Sequence, residues 1–395
     1  MLMTSRPSHI DMTVLHIVPS FFPARQYGGP IESVYQLCLH LVENGCGVRV
    51  LTTDANGPDR VLDVENEREV ELDKGLRVRY CKRLMRHSVS PTLLRLLPSY
   101  IRWADVVHLT AVYSFPTIPT LFLCKMLNKP VVWSPRGALQ RWDGSTRTRA
   151  KALWEWMCRV AAPKKLVLHV TSEPEAKESL RRFPGAEVVI IPNGIEIPEK
   201  VSHVGGDGLL RLLYLGRLHP KKGIENLLEA CKALSDNFDK AWSLTIAGAG
   251  GSHYTETIKD TIEALALSKQ VKMIGGIVGR SKQSVFENVD ITVIPSHTEN
   301  FGMVIAESLA HGVPVIASKG TPWSRVEKMG CGLWVGNDPE SLFKAIEQMS
   351  KMPLREMGQR GREWMKKEFD WGLRAQEMLN AYKKLPGQRK RRETH

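Results

Sequence analysis

The 395-residue sequence contains no run of about 18 apolar residues, the length that a bilayer-spanning helix requires, so no membrane crossing is expected. Its opening, MLMTSRPSHIDMTVLHIVPSFF, lacks a basic start followed by an apolar stretch and a small-residue cleavage site, so export is not expected either. Cysteine is sparse and unpatterned. Cys38, Cys46, Cys81, Cys124, Cys158, Cys231 and Cys331 are odd in number and never stand as C-x-x-C, which argues against a disulfide framework or a zinc site and for a reducing, cytoplasmic setting. Acidic residues are locally absent too. Between Lys74 and Ala104 there is no Asp or Glu, while Arg77, Arg79, Lys82, Arg83, Arg86, Arg95 and Arg102 alternate with Leu93, Leu94, Leu96, Leu97, Tyr100, Ile101 and Trp103. That mixture is either a helix lying on an anionic membrane surface or a solvated basic face over an ordinary buried stripe, and Pro98 would interrupt a long helix.

What is present is a chain too long for one ordinary core, with a formal net charge of +13 that favours anionic partners. Apolar, β-branched runs (HIVPSFF, VRVLTT, DVVHLT, PVVWS, LVLHVTS, EVVIIPN) alternate with helix-like stretches over residues 1–195, and a Pro- and Gly-containing segment over 196–208 reads as a linker. A second series (LRLLYLGR, WSLTIAG, VKMIGG, DITVIPS, VPVIAS) fills 209–370, and a last helix with a basic tail, GQRKRRETH, fills 371–395. Two doubly wound α/β domains with a cleft between them are expected, their ligands at the carboxyl ends of the strands.

The stretch PSHTENFGMVIAESLAHGVPVIAS sets two carboxylates, Glu299 and Glu307, seven residues apart across a turn and the helix that follows it. Glu299 could simply cap that helix and Glu307 could simply face solvent. Helical side chains lean toward the N-terminus, however, so both can border one ligand mouth, where the amides of Asn300, Phe301 and Gly302 are exposed. Ionised carboxylates accept pairs of hydroxyl donors, which ribose and hexose rings offer. In LYLGRLHPKKG, Arg217 and Lys222 follow a strand and suit a diphosphate. Gly28 and Gly29, before Pro30, open a helix whose first amides face either solvent or a phosphate. IAGAGGSHY fails G-x-G-x-x-G because His253 stands at the third glycine, so it is a weak dinucleotide fingerprint and an equally good tight turn.

Together GRLHPKKG, ENFGMVIAE, IIPNG, TSEPE and YGGP resemble the large retaining glycosyltransferase family of the GT-B fold, glycosyltransferase family 4 or group 1. The resemblance implies a C-terminal nucleotide-sugar domain and an N-terminal acceptor domain. By position it implies that Arg217 and Lys222 neutralise a UDP- or GDP-linked diphosphate, that Glu307 binds ribose, and that Glu299 with the amides of 300–302 holds the transferred hexose. Gly29 would approach the phosphates as the cleft closes, and the helix from about Trp371 to Lys384 would cross back to the first domain. Many relatives place a histidine where SPRGAL has Arg136, which cannot act as a base and either orients an anionic group or anchors its loop. His108, ending a strand on that side, is either a core histidine or part of the donor site. No D-x-D triplet occurs, so no metal or other cofactor is expected. The acceptor implied is a lipid-linked saccharide or a lipopolysaccharide or polysaccharide intermediate, with no nucleic acid partner. A sugar-nucleotide epimerase on the same fold and a non-catalytic binding module are the alternatives.

Overall fold

The computed structural model describes residues 12–385 except 25–27, 58, 67, 87, 141–147 and 204–207. The chain forms two compact units, one of Met1–Gly194 with Trp371–His395 and one of Ile195–Asp370.

The first unit is built on an eight-stranded sheet: β1 (Met12–Ile17), β2 (Cys46–Thr53), β3 (Val70–Glu71), β4 (Arg77–Cys81), β5 (Val106–Thr110), β6 (Val131–Ser134), β7 (Leu166–Val170) and β8 (Glu187–Ile190). Their order is β3-β4-β2-β1-β5-β6-β7-β8, parallel throughout except for the β3–β4 edge pair. Helices α1 (Gly29–Glu43), α2 (Pro91–Trp103), α3 (Thr117–Met126), α4 (Thr148–Ala161) and α5 (Glu173–Arg182) connect them. β1, β5 and β6 are buried at every residue, which is why they read as largely apolar runs without alternation, since a parallel strand covered on both faces has no solvent side to show. α5 starts where Ser172 accepts a hydrogen bond from the Glu175 amide and Pro174 occupies the first turn.

The basic stretch 74–104 does not form a lipid-facing helix. Its first part is strand β4, and in α2 the residues Leu93, Leu97 and Ile101 are buried in the core at four-residue spacing. Several of its cations are spoken for: Arg77 pairs with Glu71, Arg86 with Asp59, and Arg83 donates to the carbonyls of Gly57 and Arg60. The apolar half of the pattern is core, and the basic half is an ordinary polar face. The tail GQRKRRETH lies outside the described residues.

The second unit alternates strand and helix: β9 (Leu210–Leu215), α6 (Ile224–Asn237), β10 (Trp242–Ala247), α7 (Ser252–Ala264), β11 (Val271–Gly275), α8 (Arg280–Glu287), β12 (Ile291–Ile294), α9 (Met303–Ala310), β13 (Val315–Ser318), α10 (Arg325–Lys328), β14 (Gly332–Val335), α11 (Pro339–Met349) and α12 (Leu354–Glu368). The sheet is wholly parallel in the order β11-β10-β9-β12-β13-β14. That is a doubly wound arrangement in which the winding reverses between β9 and β12.

The final helix, α13 (Trp371–Lys384), belongs to the first unit and packs on α1. Gly194 faces the Trp371 indole so closely that a Cβ there would lie 2.3 Å from the ring. Tyr382 of α13 is fully buried in the core beside Val106 and Val132. All seven cysteines are free and buried.

Candidate functional site

In the second unit, the loop after β9 and the loop after β12 meet at the winding reversal. Pro220–Lys222 forms one 3₁₀ turn, held by the Lys222 amide on the His219 carbonyl at 2.8 Å, with the Lys221 amide on His219 Nδ1 at 3.1 Å. Gly223 ends the turn with φ 64°, a left-handed conformation, and any Cβ there would stand 2.2 Å from the Pro295 carbonyl oxygen. Glycine is therefore required for the two loops to touch. They are tied by the His297 amide on the Lys221 carbonyl at 2.9 Å, and the Glu299 amide is held by the Gly320 carbonyl at 2.8 Å.

This scaffold brings Lys222 Nζ onto Glu299 Oε1, which also accepts from Ser296 Oγ at 2.8 Å. Both side chains of the ion pair are more than four-fifths buried. Arg217 is exposed at the end of β9, its carbonyl accepting from the Tyr214 hydroxyl at 2.9 Å. Burial pushes the Lys221 amine down, and the charges of Lys222 and Arg217 push the same way against Glu299. Desolvation, and then the charges of Arg217, Lys221 and Lys222, lower His219. Arg217, Lys221, Lys222 and Glu299 thus share one electrostatic neighbourhood, three cations and one carboxylate at the carboxyl end of the sheet.

Beyond it, Gly302 takes a left-handed conformation, φ 81°, and starts α9 without a side-chain cap. The amides of Phe301 and Gly302 donate to no acceptor among the described residues, as is usual for the first amides of a helix. The Phe301 ring is not: it is buried against Trp323 and Phe369, and its carbonyl accepts from the Trp323 indole. Glu307 leans back along α9 and pairs with Lys282 Nζ of α8 at 2.5 Å. Lys221 stands in GRLHPKKG but is not singled out there, and no motif anticipates Lys282, which is 25 residues from Glu307 in sequence and meets it where α8 packs beside α9.

Two of the three glycines of IAGAGGSHY, Gly248 and Gly250, are structural. A Cβ on Gly248 would sit 1.7 Å from the Gly216 carbonyl oxygen and one on Gly250 2.4 Å from that of Leu218, so the loop after β10 lies directly against the loop that carries Arg217.

In the first unit, Arg136 follows β6 with φ 54° and is half-buried. Its Nη1 donates to Asn193 Oδ1 at 2.5 Å, and its Nε is buried without a partner. Glu175, fully buried, accepts from the Gly137 amide at 2.6 Å, the Thr171 amide at 2.8 Å and the Thr171 hydroxyl at 2.9 Å. The TSEPE and IIPNG segments therefore brace the loop that carries Arg136. His108 is a core histidine rather than a donor ligand. It is buried, with Nδ1 on the Tyr382 hydroxyl at 2.5 Å and Nε2 on Ser134 Oγ at 2.6 Å, so neither nitrogen is free for a sugar nucleotide. Ser134 continues to His169 Nδ1 at 2.7 Å, and His169 Nε2 meets the Ile191 carbonyl at 2.9 Å. Gly28, φ 75°, precedes α1 with open space at its Cβ position, and Gly29 is exposed at the first helical position. Among the described residues no cluster of three or more His, Cys, Asp or Glu could hold a metal ion.

Comparison with known proteins agrees with this geometry. The family of glycosyl transferases group 1 matches residues 199–364, and Glycosyltransferase Family 4 matches residues 27–198. An uncharacterised glycosyltransferase of Methanocaldococcus jannaschii is 28% identical over 176 residues, covering 44% of each chain. A GDP-mannose:cellobiosyl-diphosphopolyprenol alpha-mannosyltransferase of Xanthomonas campestris is 27% identical over 335 residues, covering 83% of this chain and 84% of that one. The solved sucrose-phosphate synthase of Thermosynechococcus elongatus superposes with a TM-score of 0.72 at 21% identity, covering 94% of this chain and 98% of that one. The two wound sheets are those of a GT-B scaffold. The chain belongs to glycosyltransferase family 4.

Proposed function

We propose that the chain is a retaining hexosyltransferase that moves a sugar from a UDP- or GDP-linked donor to a hydroxyl of a lipid-linked saccharide or of a lipopolysaccharide or polysaccharide intermediate. The observation that carries this reading is the Lys222–Glu299 pair at the winding reversal of the second sheet, with Arg217 and Lys221 beside it. A donor diphosphate gains negative charge as its bond to the anomeric carbon breaks. Near a partly buried surface each cation about 4 Å away is worth roughly 4 kcal/mol before desolvation. Fixed cations and the open amides of Phe301 and Gly302 stabilise charge that grows in the transition state. Lys222 exchanges Glu299 for phosphate, and Glu299 is released to the sugar hydroxyls. Glu307 similarly exchanges Lys282 for the ribose diol.

The acceptor oxygen bonds to the anomeric carbon on the face that the diphosphate leaves, the bonding pair departs with the phosphate oxygen, and that phosphate takes the acceptor proton. With three cations in place the reaction runs without a divalent metal. The Xanthomonas relative takes GDP-mannose and a diphosphopolyprenol-linked acceptor, which supports a nucleotide-sugar donor and a lipid-linked acceptor here.

A panel of UDP- and GDP-sugars, read by thermal stabilisation and by release of the nucleoside diphosphate, tests the reading. At least one donor should raise the melting temperature and be turned over in excess chelator. Loss of turnover in chelator with recovery on adding magnesium removes the metal-free mechanism. Donor isomerisation with no glycoside formed assigns an epimerase instead.

A further inference from the structure

Five of the large apolar side chains exposed on the first unit lie on two helices packed together, α3 and α4. Phe122 and Met126 stand four residues apart on α3, and Leu153, Trp156 and Val160 stand at i, i+3 and i+7 on α4, each between 53% and 68% exposed. α3 and α4 pack together, with Lys125 Nζ on the Val160 carbonyl at 2.7 Å. α4 departs from a normal surface helix in carrying large apolar side chains on its outer face. Its acidic residue, Glu155, is 3% exposed and accepts from the Tyr113 hydroxyl beside the buried Cys158 and Ala161, while Leu153, Trp156 and Val160 face outward. Lys125, Lys129, Arg149, Lys151, Arg159, Lys164 and Lys165 belong to the same two helices and the segments that follow them. None has a carboxylate within 4 Å among the described residues. From Val106 to Ser172 the buried Glu155 is the one acidic side chain among the described residues.

We propose that the α3–α4 face docks on an anionic phospholipid bilayer, with Phe122, Met126, Leu153, Trp156 and Val160 at the acyl boundary and the surrounding lysines and arginines on lipid phosphates. Apolar side chains ringed by unneutralised cations are complementary to a surface that is apolar within and anionic at its rim. A second copy of this chain is a poor occupant, because pairing the face with itself sets cations against cations with no carboxylate between them. The inference goes beyond the reading of the donor site, and binding to vesicles is measured without turnover, so either can fail alone.

The test is flotation of the full chain with vesicles of phosphatidylcholine alone or mixed with phosphatidylglycerol. The chain should float with the mixed vesicles only, and less as salt rises. Leu153→Ser combined with Trp156→Ser, and separately Lys164→Ala combined with Lys165→Ala, should each lower partitioning by about tenfold. Arg95→Ser with Arg102→Ser, on α2 whose apolar face is buried, should leave it unchanged. Brominated lipid should quench Trp fluorescence in the parent and less in Trp156→Phe. Should the serine pair unfold the chain, the lysine pair and the quenching still decide. Equal flotation of the lysine variant and its parent, or equal binding to neutral vesicles, overturns the proposal. So does a dimer of the parent that the serine pair dissociates while flotation stays the same.

Discussion

Two lysine–carboxylate pairs, Lys222 with Glu299 and Lys282 with Glu307, hold the acidic groups of the second unit before any ligand arrives. Each pair is largely buried, so removing one partner leaves a charge poorly compensated. Their roles differ. Lys222→Ala should weaken both nucleoside diphosphate binding and turnover, whereas Glu299→Gln should spare diphosphate binding and lower kcat by about 10² to 10³, the usual loss of one transition-state contact. Titration calorimetry with UDP and GDP beside steady-state rates separates the two; a Glu299→Gln enzyme as fast as the parent ends its assignment to the sugar. Lys282→Ala should shift donor KM with little change in kcat, because it alters only the partner that Glu307 gives up. Arg217, Lys222 and Glu299 were legible in sequence because each sits in a turn directly after a strand. Lys282 was not, because its partner is chosen by how two helices pack. His108 was ambiguous for a related reason: its partners, Tyr382 and Ser134, come from segments 274 and 26 residues away.

Among the elements, eleven of the fourteen strands were readable as apolar, β-branched runs, most clearly β1, β5, β6, β12 and β13, which are buried at every residue. β4 and β14 escaped. In RVRYC the exposed positions carry arginine beside the two-residue edge strand β3, so the alternation reads as a basic surface, and GLWV is only half-buried at the sheet edge. The loops, unlike the strands, are fixed by close approaches that sequence shows only as glycine. Gly223→Ala should illustrate this. The substitution combines a left-handed backbone with a Cβ 2.2 Å from the Pro295 carbonyl oxygen, so it must push apart the loops that bring Lys222 to Glu299. Gly275→Ala shares the positive φ, 72°, but its Cβ would meet nothing within 4 Å. The first should cost more than the 1–2 kcal/mol or so of left-handed strain alone and should abolish transfer; the second should cost about that strain and remain active. Urea unfolding of both variants with an activity assay makes the comparison. Equal losses would mean that the contact with Pro295 constrains nothing.

For the molecule as a whole, the buried polar network of the first sheet sets how stability responds to acid. His16 on β1, His108 on β5 and His169 on β7 cluster around the winding reversal between β1 and β5, the His16 and His108 rings stacked 4.6 Å apart. Burial, and then the positive charge of Arg136, hold His16 and His169 down to about 3; burial, and then the neighbouring imidazoles, hold His108 well below its ordinary value. Folded, all three stay neutral through the range in which an unfolded histidine takes up a proton near 6.5. Above that value neither state is charged and the imidazoles make stability independent of pH. As the pH falls below it, the unfolded chain binds protons that the folded chain refuses, and stability is lost progressively toward pH 3. Each imidazole should account for about 2 kcal/mol between pH 7 and pH 5. His16 offers a clean probe, because neither of its ring nitrogens has a hydrogen-bond partner, whereas those of His108 and His169 are all engaged. His16→Phe keeps the stacking, strands no partner, and removes one titrating group. Its stability at pH 8 should stay near that of the parent, while the decline from pH 7 to pH 5, followed by urea unfolding, should shrink by about 2 kcal/mol. An unchanged decline would mean that His16 is protonated in the folded chain, and the buried cluster would then have to be redrawn with a charge inside it.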